Sequence, residues 1–236
     1  ENSTADERLE IVGAETAKKL GNFFRPGITI GLAWGSTISS VSRHMHNYRV
    51  ANSTVVQLNG AGNDHSTGIS YSGEILNQFG QSLGANVVHF PVPAFFDDPA
   101  AKQVMWRERS TKRILDIQSR IDLAIFGLGR IDSEVPSQVY QAGYLGKADL
   151  DDLNAEQVVG DIATVFFRSD GSWQDIGLNN RSSGPGLDQL KKTPKRVCVA
   201  SGIAKIEALK GAISGGYITD LFIDDLTAEK LLENSN

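Results

Sequence analysis

The sequence predicts an α/β fold in which an open, largely parallel sheet has helices on both of its faces. Short apolar segments, rich in Val, Ile and Leu, alternate along the chain with longer segments whose apolar residues recur at helical spacing. Several of the short segments are apolar throughout, as expected of strands in a parallel sheet that is covered on both sides. Strands that alternate with helices in this way predict parallel strands joined by helical crossovers.

The first strand-to-helix unit, from Ile28 to Met45, organises the rest of the chain. Ile28–Ala33 is an apolar run that predicts a buried strand. Residues 34–37, with the sequence Trp-Gly-Ser-Thr, are predicted to form the turn that connects this strand to a helix. The predicted helix has its apolar positions at Ile38, Val41 and Met45.

The turn between this strand and this helix has the outline of an anion site. Gly35 permits a close approach of the backbone to a ligand, and Ser36 and Thr37 can cap the helix and donate their hydroxyl groups. The first N–H groups of the helix point outward with the positive end of its dipole, which suits a phosphate. An ordinary turn capped by Ser36 is the alternative that the motif alone leaves open.

The same patterns predict the remaining elements. Further helices are predicted at residues 6–22, 71–83, 99–117, 204–213 and 226–232. Further strands are predicted at residues 54–58, 87–90, 121–126, 164–167, 196–200 and 220–223. The strand at 164–167 is expected to form a hairpin through residues 169–171 toward Trp173, which gives an antiparallel elaboration near residues 164–175.

Composition excludes several classes of function. The formal net charge is −5 and no block of Lys and Arg is dense, so this chain is not expected to bind nucleic acid by itself. No apolar run approaches the ~20 residues that cross a bilayer and no signal peptide is evident, so a cytoplasmic location without membrane contact is expected. The single cysteine, Cys198, lies in an apolar run, which favours a buried core residue over a nucleophile.

Four predicted strands end in turns of small residues, at positions 35–37, 59–62, 127–129 and 201–202. In open α/β sheets a ligand lies beyond the carboxyl ends of the strands, so these turns predict a crevice floored by main chain. Lys205 follows the last turn by one helical turn, from where its ammonium group can reach an anion. A solvated helix lysine is the alternative.

No metal or acyl-transfer constellation emerges from the sequence. His44 and His46 lie two residues apart and therefore on different faces of their predicted helix. Asp97 and Asp98 resemble a carboxylate pair, but Asp98 before Pro99 is explained as a helix cap. The sequence therefore predicts no metal, no cofactor and no catalytic residues.

One predicted helix is distinctly basic. Its cationic residues are Lys102, Arg107, Arg109, Lys112 and Arg113. A solvated face or a subunit contact explains this charge, and the alternative is that Arg107 reaches the crevice.

Seven short segments, in order along nearly the whole chain, carry a resemblance to one protein family. They are Gly31–Thr37, Gln57–Gly60, Pro91–Pro93, Ala124–Gly129, Gly160–Ile162, Ala200–Lys205 and Ile223–Ala228. Together they resemble the effector-binding domain of SorC-type bacterial transcriptional regulators. The resemblance implies a fold related to the sugar-phosphate isomerases and aminosugar-phosphate deaminases, a phosphorylated sugar as the effector, and regulation without catalysis.

The resemblance also implies how this chain fits into a longer protein. Residues 6–236 would be the effector-binding domain, residues 1–5 the remnant of a linker, and a helix-turn-helix domain would precede Glu1. Operator DNA would then be bound through that upstream domain and not through this chain. Homodimers or homotetramers are implied.

When the family's ligand-binding roles are matched to this sequence by position, the resemblance implies two sets of site residues. The phosphate would be held by Gly35, Ser36, Thr37 and Lys205. The sugar site would be formed by Asn59, Gly60, Gly127, Gly129 and Asp161. The segment Ala200–Gly202 departs from the two-glycine form that is usual in the family.

Asn59 is an informative departure from the family pattern. At this turn one member of the family carries an arginine, and another carries a lysine that forms a Schiff base with its sugar. A carboxamide forms no imine and carries no charge for a second phosphate, which predicts non-covalent binding of a monophosphorylated sugar or polyol.

Two other classes of function remain open at this stage. The first is a sugar-phosphate isomerase or aminosugar-phosphate deaminase, whose chemistry needs a general base such as Asp97, Asp98 or Asp161. The second is a scaffold whose pocket has lost its ligand.

Overall fold

A parallel sheet of six strands forms the centre of the computed structural model, which describes residues 4–130 and 138–233 of the chain. The strands of this sheet are β1 (Thr29–Leu32), β2 (Thr54–Gln57), β3 (Asn86–Val88), β4 (Leu123–Gly127), β7 (Lys195–Val199) and β8 (Asp220–Phe222). Two further strands, β5 (Val158–Ile162) and β6 (Val165–Arg168), form a separate antiparallel pair. The predicted fold class is therefore confirmed.

The helices lie on both faces of the sheet. They are α1 (Ala5–Leu20), α2 (Ser36–Arg43), α3 (Ile69–Leu83), α4 (Pro99–Met105), α5 (Arg109–Gln118), α6 (Gln138–Gln141), α7 (Lys147–Ala155), α8 (Leu187–Leu190), α9 (Ile206–Ser214) and α10 (Asp225–Glu233). One buried cluster joins Leu20, Ile38 and Phe79 to one face, and a second joins Ile114 and Leu209 to the other. No helix of the described residues is long and apolar enough to cross a membrane.

Strand order determines where a ligand site can form. The order across the sheet is β3-β2-β1-β4-β7-β8, so the chain moves outward in one direction from β1 and then starts again beside β1 with β4. This reversal opens a crevice beyond the carboxyl ends of β1 and β4. The turns at residues 35–37 and 127–129 follow directly after these two strands.

The prediction of a single helix at residues 99–117 is wrong, because the chain forms two helices, α4 and α5, with a break between them. The Trp106 ring packs against Phe90 and Phe96, with centroids 5.7 and 5.5 Å apart. Tight bonds from the N–H groups of Arg107 and Glu108 to carbonyls three residues earlier end α4 there. Tertiary packing of one aromatic side chain thus interrupts a sequence that is otherwise helical in character.

The predicted hairpin has the wrong partner strand. The segment at 165–168 pairs with the preceding strand, β5, and not with residues near Trp173. Ala163 and Thr164 make the connecting turn with φ angles of 48° and 67°, which belong to the left-handed region. Neither residue favours that region, so the sequence carries no turn signal there.

The first helix begins close to its predicted start. Thr4 caps α1, since its hydroxyl accepts the Glu7 N–H at 3.2 Å while the Glu7 carboxylate accepts the Thr4 N–H at 2.8 Å. Residues 1–3 lie outside the described residues, so the linker assigned to residues 1–5 stays a prediction.

Candidate functional site

A cleft at the carboxyl ends of β1 and β4 brings together most of the predicted site residues. Its empty space, counted together with the open solvent at its mouth, is about 460 Å³. Eight of the nine predicted site residues line it, namely Gly35, Ser36, Thr37, Asn59, Gly127, Gly129, Asp161 and Lys205. The ninth, Gly60, does not line this cleft.

The first turn of α2 faces the cleft without a side-chain cap. Gly35 is the N-cap residue with φ 149° and ψ 168°, and a Cβ atom built on it would meet nothing within 4 Å. The prediction that Ser36 or Thr37 caps the helix is wrong, because α2 itself starts at Ser36 and no side chain bonds to its cap. The helix dipole and the N–H groups of this turn are therefore directed at open space in the cleft.

Thr37 and Gly127 hold the two sides of the cleft close together. Thr37 is 9% exposed, and a Cβ atom on Gly127 would lie 3.3 Å from the Thr37 Cβ. The absence of a side chain at Gly127 thus lets the end of β4 approach the first turn of α2. Both the hydroxyl of Thr37 and the main chain of β4 border the same space.

Lys205 is a buried cation at this cleft. It is 6% exposed, and its Nζ donates a hydrogen bond to the Leu128 carbonyl at 2.7 Å. Burial lowers the pKa of Lys205 to about 8, against the opposing effect of the nearby Asp161 charge. A 3₁₀ turn, Ile203–Lys205, precedes α9 and carries this side chain into the cleft.

Asp161 is a buried carboxylate at the same cleft. Its side chain accepts hydrogen bonds from the Tyr140 hydroxyl and from the Thr164 N–H, both at 3.1 Å. Burial raises the pKa of Asp161 to about 6, although these two bonds and the Lys205 charge act in the opposite direction. The backbone of Asp161 exchanges two hydrogen bonds with Gly129, at 3.0 and 3.2 Å, and these tie β5 to the turn after β4.

Asn59 and Gly60 follow β2 and differ in their relation to the cleft. Asn59 is 1% exposed and lines the cleft, and its Oδ1 has no hydrogen-bond partner among the described residues. A Cβ atom on Gly60 would lie 2.2 Å from the Val92 carbonyl oxygen, so this glycine packs against backbone behind the cleft. Trp34 fixes both residues, because its Nε1 donates to their carbonyl oxygens at 3.2 and 2.9 Å.

Sequence reasoning missed the residues that hold Asp161. Tyr140 and Thr164 belong to no motif, and only the turn geometry at residues 163–164 brings the Thr164 N–H to the carboxylate. Two other residues do not line the cleft: Arg107 is exposed, and Cys198 is fully buried, which raises the pKa of its thiol. Among the described residues, no three His, Cys, Asp or Glu side chains are grouped to hold a metal ion.

Asp161 is expected to give the protein an unusual dependence of stability on pH. Its folded pKa of about 6 lies above the ordinary 3.8, so the folded state holds more protons between these values and loses stability as the pH rises. From pH 4 to pH 7 this loss amounts to about 2 kcal/mol. Urea unfolding of the wild type and of Asp161→Asn across this range checks it, since the variant lacks this contribution. Equal slopes for the two proteins would contradict it.

Comparisons with known proteins agree with this architecture. A family model described as "Putative sugar-binding domain" matches residues 1–233. The chain is 29% identical over 210 residues to the deoxyribonucleoside regulator of Bacillus subtilis (strain 168). The matched residues are 89% of this chain and 66% of that protein. It is 23% identical over 229 residues to the sorbitol operon regulator of Klebsiella pneumoniae, and this match covers 97% of this chain and 72% of that protein.

Solved structures give the same result. A domain of a possible sugar-binding transcriptional regulator from Arthrobacter aurescens TC1 is 48% identical, with a TM-score of 0.92 over 98% of this chain and 89% of that one. A DeoR family transcriptional regulator from Listeria monocytogenes is 26% identical, with a TM-score of 0.87 over 98% and 90%. The chain belongs to the family of sugar-binding domains carried by SorC- and DeoR-type transcriptional regulators.

Proposed function

We propose that this domain senses a monophosphorylated sugar or polyol, binds it without a covalent bond, and thereby controls a transcriptional regulator. The observation that carries the proposal is the joint presence, in one cleft, of an uncapped helix N-terminus and a buried lysine. Each of these features favours an anion, and together they provide both backbone donors and a full positive charge.

The charges in the cleft suggest how a ligand would be oriented. A phosphate would lie at Gly35, Ser36 and Thr37 with Lys205 nearby, because these groups supply hydrogen-bond donors. The Asp161 carboxylate would repel a phosphate but accepts hydrogen bonds from hydroxyl groups, so it suits the sugar end of the ligand. Gly127 and Gly129 let the main chain at the end of β4 lie close to Thr37 and Asp161, and Gly60 would shape the site from behind.

Asn59 supports non-covalent binding. Its buried Oδ1 has no partner among the described residues, and an unpaired buried acceptor is costly unless a ligand supplies a donor. A sugar hydroxyl is such a donor. A carboxamide cannot form an imine, so the amide at this position binds and orients the ligand only.

The regulatory part of the proposal rests on the relatives. These relatives are named as regulators of deoxyribonucleosides, of an operon and of transcription. We propose that a DNA-binding domain precedes this chain in the complete protein, that the protein acts in the cytoplasm as a homo-oligomer, and that the domain has no catalytic role. The ligand would then act by binding more tightly to one arrangement of the regulator than to another.

A thermal-shift screen of phosphorylated and unphosphorylated sugars tests the ligand class. A sugar phosphate at 100 times its Kd is expected to raise the free energy of unfolding by about 2.7 kcal/mol. The corresponding unphosphorylated sugar is expected to give no shift, because it lacks the charge that Lys205 and α2 bind. A shift with unphosphorylated sugars alone would overturn the phosphate assignment.

Thr37→Val tests the hydroxyl at the phosphate end of the cleft. The variant keeps the shape of the side chain but removes a donor to a charged group, so we expect a roughly 10- to 100-fold weaker Kd by calorimetry. Thr16→Val is the matched control, since Thr16 is fully buried in α1 and its hydroxyl has no partner among the described residues. The control is expected to bind sugar phosphate like the wild type. Equal affinity of both variants would remove Thr37 from the site.

One observation favours a second candidate function. A carboxylate whose pKa is about 6 is suited to general-base catalysis near neutral pH, and Asp161 lies in the cleft where a sugar would bind. An isomerase or deaminase would convert ribose 5-phosphate or glucosamine 6-phosphate over many turnovers. Such turnover would replace the sensor assignment, whereas binding without conversion supports it.

A further inference from the structure

The turn that carries Lys205 into the cleft is bound by the start of α10. Gly202 opens this turn with φ 102° and ψ 137°, and a Cβ atom built on it would meet nothing within 4 Å. The position therefore favours glycine because of its backbone conformation and not because space is short. In this conformation the Gly202 N–H donates to two acceptors on α10 and its cap, Asp224 Oδ2 at 2.9 Å and Thr227 Oγ1 at 3.0 Å.

Asp224 and Thr227 are themselves joined by hydrogen bonds. Asp224 Oδ1 accepts the Thr227 N–H at 2.9 Å, as an N-cap residue does, and Asp224 Oδ2 accepts the Thr227 hydroxyl at 2.7 Å. Asp224 is 7% exposed and Thr227 is fully buried. Burial alone would raise the pKa of Asp224, but the bonds from Thr227 and from the Gly202 N–H outweigh it and lower this pKa. The Gly202 N–H is therefore bound by an ionised carboxylate in a fixed position.

Hydrogen bonds continue from Gly202 to Lys205. The Lys205 N–H donates to the Gly202 carbonyl at 3.0 Å, so Gly202 is bound to α10 through its N–H and to Lys205 through its C=O. The Lys205 ammonium group then donates to the Leu128 carbonyl. Burial of an ammonium group is unfavourable, and it lowers the pKa of Lys205. A turn that was free to move would let this group reach water.

We infer that Asp224 and Thr227 are positioning residues for the anion site, because they fix the turn at residues 202–205 and thereby keep the Lys205 ammonium group in the cleft. Neither side chain lines the cleft, so both act through Gly202 and not on the ligand. The inference gives a role to Ile223–Ala228, one of the segments that carry the family resemblance. It rests on the proposed function only in taking Lys205 as the group that binds the phosphate.

The pKa of Lys205 reports the position of its ammonium group. It can be followed through the Cε chemical shift in protein with ¹³C-labelled lysine, where the signal that is missing from Lys205→Met belongs to Lys205. We expect Asp224→Ala to raise this pKa from about 8 to at least ~9, because the released ammonium group becomes hydrated. Loss of the Asp224 charge by itself would lower the pKa, so an unchanged or lower value would overturn the inference.

Two substitutions of Thr227 separate hydrogen bonding from packing. Thr227→Val keeps the volume of the side chain but removes the hydroxyl group, whereas Thr227→Ser removes a methyl group but keeps the hydroxyl. We expect the pKa of Lys205 to rise in Thr227→Val and to stay at about 8 in Thr227→Ser. Both variants keep the Asp224 charge, and they test the inference even if Asp224→Ala does not fold. A rise in Thr227→Ser alone, or in neither variant, would contradict it.

Asp98→Ala is the matched control for the loss of a helix cap. Asp98 caps α4 by accepting the Ala100 N–H at 2.8 Å, and it does not line the cleft. The control is expected to leave the pKa of Lys205 at about 8. An equal rise in Asp98→Ala would mean that any loss of a cap releases Lys205, and Asp224 would then have no specific role.

Titration with inorganic phosphate at pH 7 connects the position of Lys205 to anion binding. The ammonium group is largely protonated at this pH in every variant, so differences in affinity reflect its position. We expect Asp224→Ala and Thr227→Val to bind phosphate at least ~10-fold more weakly than the wild type, and Thr227→Ser and Asp98→Ala to bind it equally well. Wild-type affinity in the first two variants would overturn the inference. A wild type that binds no phosphate, together with the expected changes in pKa, would overturn the proposed function but uphold the fixing of Lys205 by α10.

Discussion

Replacing Lys205 with methionine is expected to weaken the binding of sugar phosphates strongly and, at the same time, to remove a rise in stability with increasing pH. Methionine keeps the length and most of the volume of the side chain but removes its charge. The ligand would lose a charge-assisted bond in a buried position, so we expect at least ~100-fold weaker binding by calorimetry. The cleft would otherwise keep its shape.

The effect on stability follows from the pKa of the buried ammonium group. The pKa of Lys205 is about 8 in the folded protein, below its ordinary value of 10.5. Between these values the unfolded state holds more protons, so this residue makes the protein more stable as the pH rises. From pH 7.5 to pH 9.5 the wild type should gain about 2 kcal/mol relative to Lys205→Met. Urea unfolding of both proteins at the two pH values measures the difference.

Lys210→Met is the matched control for this experiment. Lys210 lies on the same helix, α9, but pairs with Glu207 at 3.0 Å and does not line the cleft. The control should keep both the affinity for sugar phosphate and the wild-type pH profile. Undiminished affinity in Lys205→Met would show that the anion is held elsewhere.

The sheet could be predicted because its strands carry their own signal. The buried parts of β1, β4 and β7, residues 30–32, 123–126 and 197–199, are apolar on both faces, as expected of a parallel sheet covered by helices. The common location of the small-residue turns then follows from topology, because the carboxyl ends of parallel strands lie at the same edge of the sheet. This is why turns far apart in sequence, such as 35–37 and 127–129, can be assigned to one crevice from the sequence alone.

The parts that sequence could not supply depend on side chains from distant segments. The end of α4 is fixed by the contacts of Trp106 with Phe90 and Phe96, and no local pattern encodes them. Asp161 could be named as a site residue, but its altered pKa depends on burial together with Tyr140 and Thr164. The order of the segments along the chain therefore predicts that Asp161 lies in the cleft, whereas the pKa of its carboxyl group depends on the packed structure.

Gly60 illustrates the limit of transferring a role by position. Its sequence context placed it in the sugar site, and it does follow β2 beside Asn59. The backbone at Val92 and Pro93 approaches so closely that a Cβ atom would lie 2.2 and 2.4 Å from their carbonyl oxygens. A glycine in a ligand-binding turn can thus be required by the chain behind it and not by the ligand.

Gly129→Ala is expected to lower the free energy of unfolding by about 3 kcal/mol and to abolish sugar-phosphate binding. The φ angle of Gly129 suits any residue, so the effect would be steric. A Cβ atom there would lie 1.8 Å from the Asp161 Oδ1 and 2.7 Å from its Cγ. The carboxylate would have to move and would lose its bonds from Tyr140 and Thr164 while still buried.

Gly73→Ala in α3 is the control for this substitution, because the nearest atom to its Cβ lies at an ordinary 3.7 Å. It should be neutral or slightly stabilising, since alanine favours a helix interior. Combining Gly129→Ala with Asp161→Ala removes the carboxylate with which the new methyl group would clash. The double variant should therefore lose less stability than the sum of the two single variants, as measured by urea unfolding. Strict additivity would mean that the methyl group and the carboxylate never meet, and Gly129 would then have no role in positioning Asp161.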